Sequence, residues 1–391
     1  MTKVPVSIVT GFLGSGKTTL LRHIVKTLTT KKIAIIQNEF SDEMGIESPT
    51  IVDSEGQLFK EFYELPNGCV CCSVRGELIR AVDHLLSVKR FDKILVETTG
   101  VADPEPLVEM FWTDEELGSK VMLDGIITVV DTLNIQSYLN LTNKDIQDII
   151  ELSIETNNKL ITEKTRILSN LLMHQYDDIN ITENKYPKLV IETIKQIIAA
   201  NKIILNKIDL LDINENNSDS DLSTIEKIIH FINPTAEISK AIKSSVPIDW
   251  IFDINGFNIN SISSEFDRFQ IINEIMPISS INPVNYISNE MFTFQHYIFS
   301  PEAIEKFIAL VVWDSEKFNN KLGTLVRYKG IFKGYKDEDK QEIIDYALQG
   351  VGKVFEVVPL NSETLEMSKF LFIGFNLKKQ AIHASLVSCI A

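Results

Sequence analysis

Four groups of residues have types and spacings that can do chemistry. The first is Gly11-Phe12-Leu13-Gly14-Ser15-Gly16-Lys17-Thr18-Thr19, which fits G-x-x-x-x-G-K-[ST] between the apolar run Val4-Pro5-Val6-Ser7-Ile8-Val9 and a helical start at Leu20-Leu21. Its glycines let successive N–H groups turn toward phosphate oxygens at a helix N-terminus. On this reading Gly11, Gly14, Ser15, Gly16 and Thr19 belong to a phosphate cradle. Lys17 adds a point charge on the β- and γ-phosphates, and the Thr18 hydroxyl takes one Mg2+ position. The second group, Glu97-Thr98-Thr99-Gly100, closes the apolar run Lys93-Ile94-Leu95-Val96. An acid ending such a strand, followed shortly by glycine, is where a P-loop protein holds Mg2+ and senses the γ-phosphate, which makes Glu97 the second Mg2+ candidate.

The third group is Asn206-Lys207-Ile208-Asp209, after the apolar run 202–205. Asp209 can accept from guanine N1–H and the 2-amino group, Asn206 can hold loop and base, and the Lys207 stem can cover a ring face. Adenine lacks that donor pair and would leave the carboxylate unpaired, so the nucleotide reads as GTP. The fourth group is Cys69-Val70-Cys71-Cys72, just before a helical pattern of Leu78, Ile79, Val82, Leu85 and Leu86. Cys69 and Cys71 can point the same way from an extended segment, and Cys72 joins if the chain turns into the helix. Three thiolates suit Zn2+ or Cu(I), with an exchangeable fourth position or a fourth ligand from elsewhere. The same cluster also fits a redox switch or small buried hydrophobes.

The elements that must position these groups alternate strand and helix. Strands are expected at 4–9, 32–37, 93–96, 125–131 and 202–205, with helices between them, which predicts an α/β P-loop NTPase domain with a mostly parallel sheet over 1–254. The polar stretch 41–55 reads as a switch loop, and 132–187 as an insertion elaborating the surface. An Asn/Ser/Ile-rich linker is expected at 255–289. A smaller α+β domain follows over 290–391, with a strand at 292–299, a helix from Pro301 to Trp313, and strands near 324–332, 342–347 and 370–373. His84, His174 and His296 stand alone and are set aside, and Cys389 reads as a tail thiol.

Composition narrows the function classes. A formal net charge of −16 over 391 residues argues against capture by nucleic acid or an anionic membrane. No apolar run approaches the ~20 residues of a spanning helix and no signal-peptide core is evident, so a cytoplasmic protein is expected. Four cysteines, three of them clustered, do not make a disulfide framework.

With these residues in place the chain resembles the CobW-like metallochaperone GTPases, and within them the eukaryotic zinc-regulated GTPase metalloprotein activators. The resemblance rests on GFLGSGKTTLL, QNEF, ELPNGCVCCSVRGEL, ILVETTGVADP, MFWTDEELGS, LDGIITVVD and NKID, and on VRYKGIF and FLFIG in the C-terminal, CobW-type domain. It implies Mg2+-dependent GTP hydrolysis coupled to delivery of Zn2+ to a client metalloprotein. It also adds Glu39 to Cys69, Cys71 and Cys72 as a zinc candidate, since a carboxylate moving with the switch loop would let nucleotide state alter metal affinity. Such coupling is reciprocal. A GTPase insertase for another metal such as cobalt, and a non-catalytic GTP-binding metal buffer, are the other readings. No Gln or Arg finger is identifiable, so slow intrinsic turnover is expected.

Two departures bear on the resemblance. Ser41 stands where family members usually have Gly after Asn-Glu-Phe. Activators that serve methionine aminopeptidase usually carry an N-terminal Cys-Pro-Glu-Leu-Val docking motif, whereas Met1-Thr2-Lys3 precede the first strand here. Methionine aminopeptidase as a client is therefore left without its docking motif.

Overall fold

Short apolar runs, buried on both faces, build a sheet of six parallel strands. The computed structural model describes residues 3–27, 31–37, 51–52, 58–59, 73–88, 90–139, 141, 188–211, 218–275, 287–314, 321–336, 342–360 and 365–391. In chain order the first strands are β1 (Val4–Thr10), β2 (Ile33–Gln37), a two-residue antiparallel pair β3 (Ile51–Val52) and β4 (Leu58–Phe59), and β5 (Lys93–Glu97). Then come β6 (Val121–Asp131), β7 (Lys202–Asn206) and β8 (Glu237–Ala241). The main sheet has the order β2-β5-β1-β6-β7-β8, with every neighbouring pair parallel. Gln37 and Val9 both pair with Glu97, Thr10 with Thr128, and Asn206 with Asp131 and Ala241. The carboxyl ends of all six strands therefore share one edge, the edge at which open α/β sheets gather ligands.

Helix α1 (Lys17–Thr27) follows β1 after the glycine loop and buries Leu20, Leu21 and Ile24 in a cluster with Val9, Leu95, Ile127 and Ile204. The helices after it are α2 (Ser73–Val88), α3 (Glu105–Thr113), α4 (Glu115–Lys120), α5 (Ile135–Tyr138), α6 (Lys188–Ala199), α7 (Ser218–Ile232) and α8 (Ile248–Ile251). The β1–β6 register shifts where Val6 and Ser7 pair with Leu123 and Gly125, which leaves Asp124 as a bulge residue. Its carboxylate accepts from Lys93 Nζ at 2.5 Å and from the Ile254 and Asn255 backbone N–H groups at 3.1 and 2.9 Å. This ties the segment after α8 to the core of the sheet.

Contacts group the chain into two units, 1–135 with 195–218 and 236–258, and 136–194 with 219–235 and 259–391. The second is built on an antiparallel sheet of order β12-β11-β10-β13-β9, with β9 (Ile287–Gln295), β10 (Thr324–Tyr335), β11 (Ile343–Val351), β12 (Val354–Pro359) and β13 (Met367–Phe375). Its helices include α9 (Ile262–Ile275), α10 (Pro301–Trp313) and α11 (Lys379–Val387). Side chains alternate along β10 as the pleat requires. Tyr328 and Phe332 enter an aromatic core with Phe294, Phe299, Phe370 and Phe372, sealed by Ile304 and Ile308 of α10. Arg327 and Lys329 face the other way and meet Glu265 of α9 at 3.2 and 2.5 Å.

The sequence reading and the structure differ in four places. The stretch expected as a linker, 255–289, contains α9, whose Ile262, Phe266 and Phe269 are buried at i, i+4 and i+7. Its Asn/Ser-rich surroundings masked that stripe. Strand β8, read into no element, alternates too weakly in EISKA to stand out. Strand β12 and helix α11 are additional elements of the second unit. Cys389 is not a loose tail thiol: it is 4% exposed within the aromatic core, and burial pushes its thiol pKa up. Most of the 132–187 insertion and the whole 41–50 part of the switch stretch lie outside the described residues.

Candidate nucleotide site

The loop between β1 and α1 needs its glycines. Gly11, Gly14 and Gly16 have φ values of 139°, 69° and 112°, in the region that side chains disfavour. A Cβ on Gly11 would lie 2.2 Å from the Val129 carbonyl oxygen, and one on Gly16 would lie 2.3 Å from Asn206 Nδ2. The loop curls over Lys17, whose Nζ donates to the Gly11 and Phe12 carbonyls at 2.9 and 3.1 Å. Ser15 is fully buried, and its Oγ has no hydrogen-bond partner among the described residues. Gly14 and Thr19 are exposed. A concave run of backbone at a helix N-terminus with one lysine at its centre suits a polyphosphate.

Beside this cradle, the Thr18 hydroxyl donates to Glu97 Oε1 at 2.9 Å. Glu97 is 4% exposed and closes β5, next to β1 in the sheet. Two hard oxygen ligands on adjacent elements fit Mg2+, because neighbouring ligands of an octahedral ion at about 2.1 Å lie roughly 3 Å apart. The following residues stay close to the cradle. Thr98 Oγ1 donates to Thr10 Oγ1 at 2.8 Å, and a Cβ on Gly100 would lie 2.5 Å from the Leu13 nitrogen.

On the far side stands the end of β7. Asn206 is buried, donating from Nδ2 to the Ser15 carbonyl at 2.8 Å and accepting at Oδ1 from the Ser244 N–H at 2.7 Å. Lys207 takes the left-handed conformation, φ 66°, which turns the chain into a single 3-10 turn at Ile208–Leu210. Asp209 on that turn is exposed and so presents its oxygens at the surface. Two residues here escaped sequence reasoning. Asp131, ending β6, accepts from Lys207 Nζ at 2.7 Å and from Asn134 Nδ2 at 2.9 Å, so it fixes the lysine stem. Ser244 donates from Oγ to the Gly16 carbonyl at 2.9 Å from the loop after β8. A serine in a polar loop carries no spacing signal that marks it, whereas Asp131 could have been found as an acid closing a core strand.

The zinc candidates Glu39, Cys69, Cys71 and Cys72 lie outside the described residues. The elements flanking them are described: β2 ends at Gln37, paired with Glu97, and α2 begins at Ser73. Among the described residues no group of three or more His, Cys, Asp or Glu is placed to hold a metal. No helix among them is long and apolar enough to cross a membrane.

Comparison with known proteins agrees with this geometry. The CobW/HypB/UreG nucleotide-binding domain model matches residues 5–240, and the cobalamin synthesis protein cobW C-terminal domain model matches 291–390. The chain is 31% identical over 393 residues to zinc-regulated GTPase metalloprotein activator 1 of Schizosaccharomyces pombe, covering 96% of this chain and 83% of that protein. Its identity to the Saccharomyces cerevisiae protein of the same name is 28% over 400 residues, covering 98% and 83%. The fold is similar to the crystal structure of Zn(II)-bound YjiA GTPase from E. coli, with a TM-score of 0.59 at 22% identity over 100% of this chain and 99% of that one. With a nucleotide-binding model spanning more than half its length and a relative above 30% identity along nearly all of it, the chain belongs to the CobW-like GTPase family, in its zinc-regulated GTPase metalloprotein activator group.

Proposed function

We propose that this protein is a GTP-hydrolysing zinc chaperone that delivers Zn2+ to client metalloproteins in the cytoplasm. The observation that carries the GTPase part is the 2.9 Å contact between Thr18 and Glu97 at the mouth of a glycine loop braced by Asn206. In this reading Lys17 exchanges its two loop carbonyls for β- and γ-phosphate oxygens. Backbone N–H groups from Gly14 to Thr19 surround the remaining phosphate charge, and Asp209 selects guanine while Lys207, held by Asp131, covers the ring. A Mg2+ ion held by Thr18 and Glu97 would neutralise charge on the transferring phosphoryl group. Stabilisation of this kind costs little reorganisation, because Asn206, Ser244 and Glu97 are already fixed.

The zinc part rests on Cys69, Cys71, Cys72 and Glu39 and on relatives whose names state zinc. Besides the two yeast proteins, a zinc chaperone, YjiA of E. coli, is 40% identical over 145 residues, 36% of this chain. Three thiolates with one exchangeable position suit a donor of metal better than a permanent store. Residues 1–254 would form the GTPase domain, and 290–391 a second domain that contacts the client. A phosphate-release assay across Zn2+, Co2+ and chelator, on wild type and on a Cys69→Ser, Cys71→Ser, Cys72→Ser triple variant, tests the proposal. Zinc-dependent turnover that the triple variant loses is expected. Turnover that follows cobalt alone points to an insertase for that metal, and no turnover at all leaves a GTP-binding metal buffer.

A further inference from the structure

The loop that follows Glu97 is held from behind by two consecutive residues of α6. Gln196 is 1% exposed, and its Nε2 uses both hydrogens on this loop, donating to the Ala102 carbonyl at 2.9 Å and the Gly100 carbonyl at 3.3 Å. The backbone carbonyl of Gln196 accepts from Thr128 Oγ1 at 2.7 Å, which fixes this turn of α6 against β6. Lys195 Nζ reaches Asp103 Oδ2 at 2.5 Å, while Asp103 Oδ1 accepts the Glu105 N–H that opens α3. Both ends of the 99–104 segment are thereby gripped, and Gly100 is drawn against the Leu13 backbone of the phosphate cradle. None of these contacts touches a nucleotide position.

We infer that Gln196 is a positioning residue for nucleotide discrimination: it holds the segment after Glu97 against the cradle, in the placement a γ-phosphate needs, and thereby favours triphosphate over diphosphate. This rests on the proposed GTPase reading. A ligand shifts a loop only by its differential affinity for the two placements, so a contact that stabilises one of them changes the affinity ratio of GTP and GDP while leaving the shared phosphate and base contacts intact. A purely structural role would lower both affinities together. Gln196 Oε1 is buried with no hydrogen-bond partner among the described residues, so Gln196→Met removes an uncompensated acceptor along with the donors and keeps the volume.

The test uses the full chain in two measurements: hydrogen exchange of residues 98–104 in nucleotide-free protein, and titration with GDP and with a non-hydrolysable GTP analogue. For Gln196→Met the expected result is faster exchange in that segment, about tenfold weaker binding of the analogue, and GDP affinity within about twofold of wild type. Lys195→Met, at a partly exposed ion pair, should move the same ratio in the same direction by a smaller factor, and it decides the matter if Gln196→Met does not fold. Unchanged exchange, or parallel loss of both nucleotides, overturns the inference. Faster exchange in a protein whose wild type binds neither nucleotide overturns the GTPase reading, and the discriminating role with it, while the grip on the loop stands.

Discussion

Asn206 and Ser15, 191 residues apart in sequence, meet in a 2.8 Å hydrogen bond between the amide Nδ2 and the loop carbonyl. The same amide oxygen accepts from the Ser244 N–H. One side chain thus joins the glycine loop to the loop after β8. Replacing it with Ala would leave a buried carbonyl and a buried N–H unpaired. Asn206→Ala should cost about 2–4 kcal/mol of stability and weaken GDP and GTP alike, measured by urea unfolding and nucleotide titration. Stability within about 0.5 kcal/mol of wild type would show that the bracing contributes nothing.

Thr18 and Glu97 lie 2.9 Å apart, and in the proposed reading they meet the charge on a transferring phosphoryl group. Thr18→Ala and Glu97→Gln should each lower kcat for phosphate release by about a hundredfold or more, with Mg2+ stimulation lost as well. Lys17→Ala should abolish hydrolysis. Wild-type turnover in that variant would refute the cradle.

In the proposed reading Asp209 selects the base. An amide at this position offers donors where guanine also has donors, but xanthine has an oxygen there. Asp209→Asn should invert the preference from GTP to xanthosine triphosphate by at least about a hundredfold, read from paired turnover assays. An unchanged preference would place guanine recognition elsewhere.

The buried cluster of Glu265, Arg327 and Lys329 predicts a pH signature. Burial alone would raise the Glu265 carboxyl, but Lys329 and Arg327 hold it below the ordinary value of 4.5. Burial drives Lys329 from 10.5 down to about 8, against the pull of Glu265. The depressed Glu265 contributes stability above its unfolded value, and that contribution is lost as pH falls through the folded one. Lys329 acts with the same sign in a higher window: between about 8 and 10.5 the unfolded chain holds more protons, so stability from this group also rises with pH. Lys329→Met should remove that rise in urea-unfolding series. Glu265→Gln, which takes the carboxylate from two buried cations, should cost about 3–5 kcal/mol.

Much of this was legible because the signals are local. The glycine loop, the acid at the end of β5 and the Asn206 to Asp209 run each combine fixed spacing with a flanking apolar strand, and the structure brings all three to one sheet edge. What sequence reading missed acts through long-range contacts. Gln196 and Ser244 work by touching backbone far away in sequence, and nothing in their own neighbourhoods announces it; Asp131 carries a local mark as the acid closing β6, but its partner Lys207 lies 76 residues on. Helix α9 was hidden for a related reason, since Glu265 interrupts its apolar stripe and is satisfied only by β10, more than 60 residues later.

The strand order has a consequence for how the protein is made. Of the strands in the main sheet β1 is made first, yet it lies mid-sheet between β5 and β6, and its loop is braced by Asn206 and Ser244. At ~5–20 residues per second, roughly 10 to 50 s of synthesis separate β1 from the last of those braces. The apolar strand lacks its sheet partners until β5 and β6 have been made, and the glycine loop lacks its braces until the end of that interval. Nucleotide can join only a nearly completed domain, which makes β1 the part of the chain with most to gain from a holding chaperone during translation.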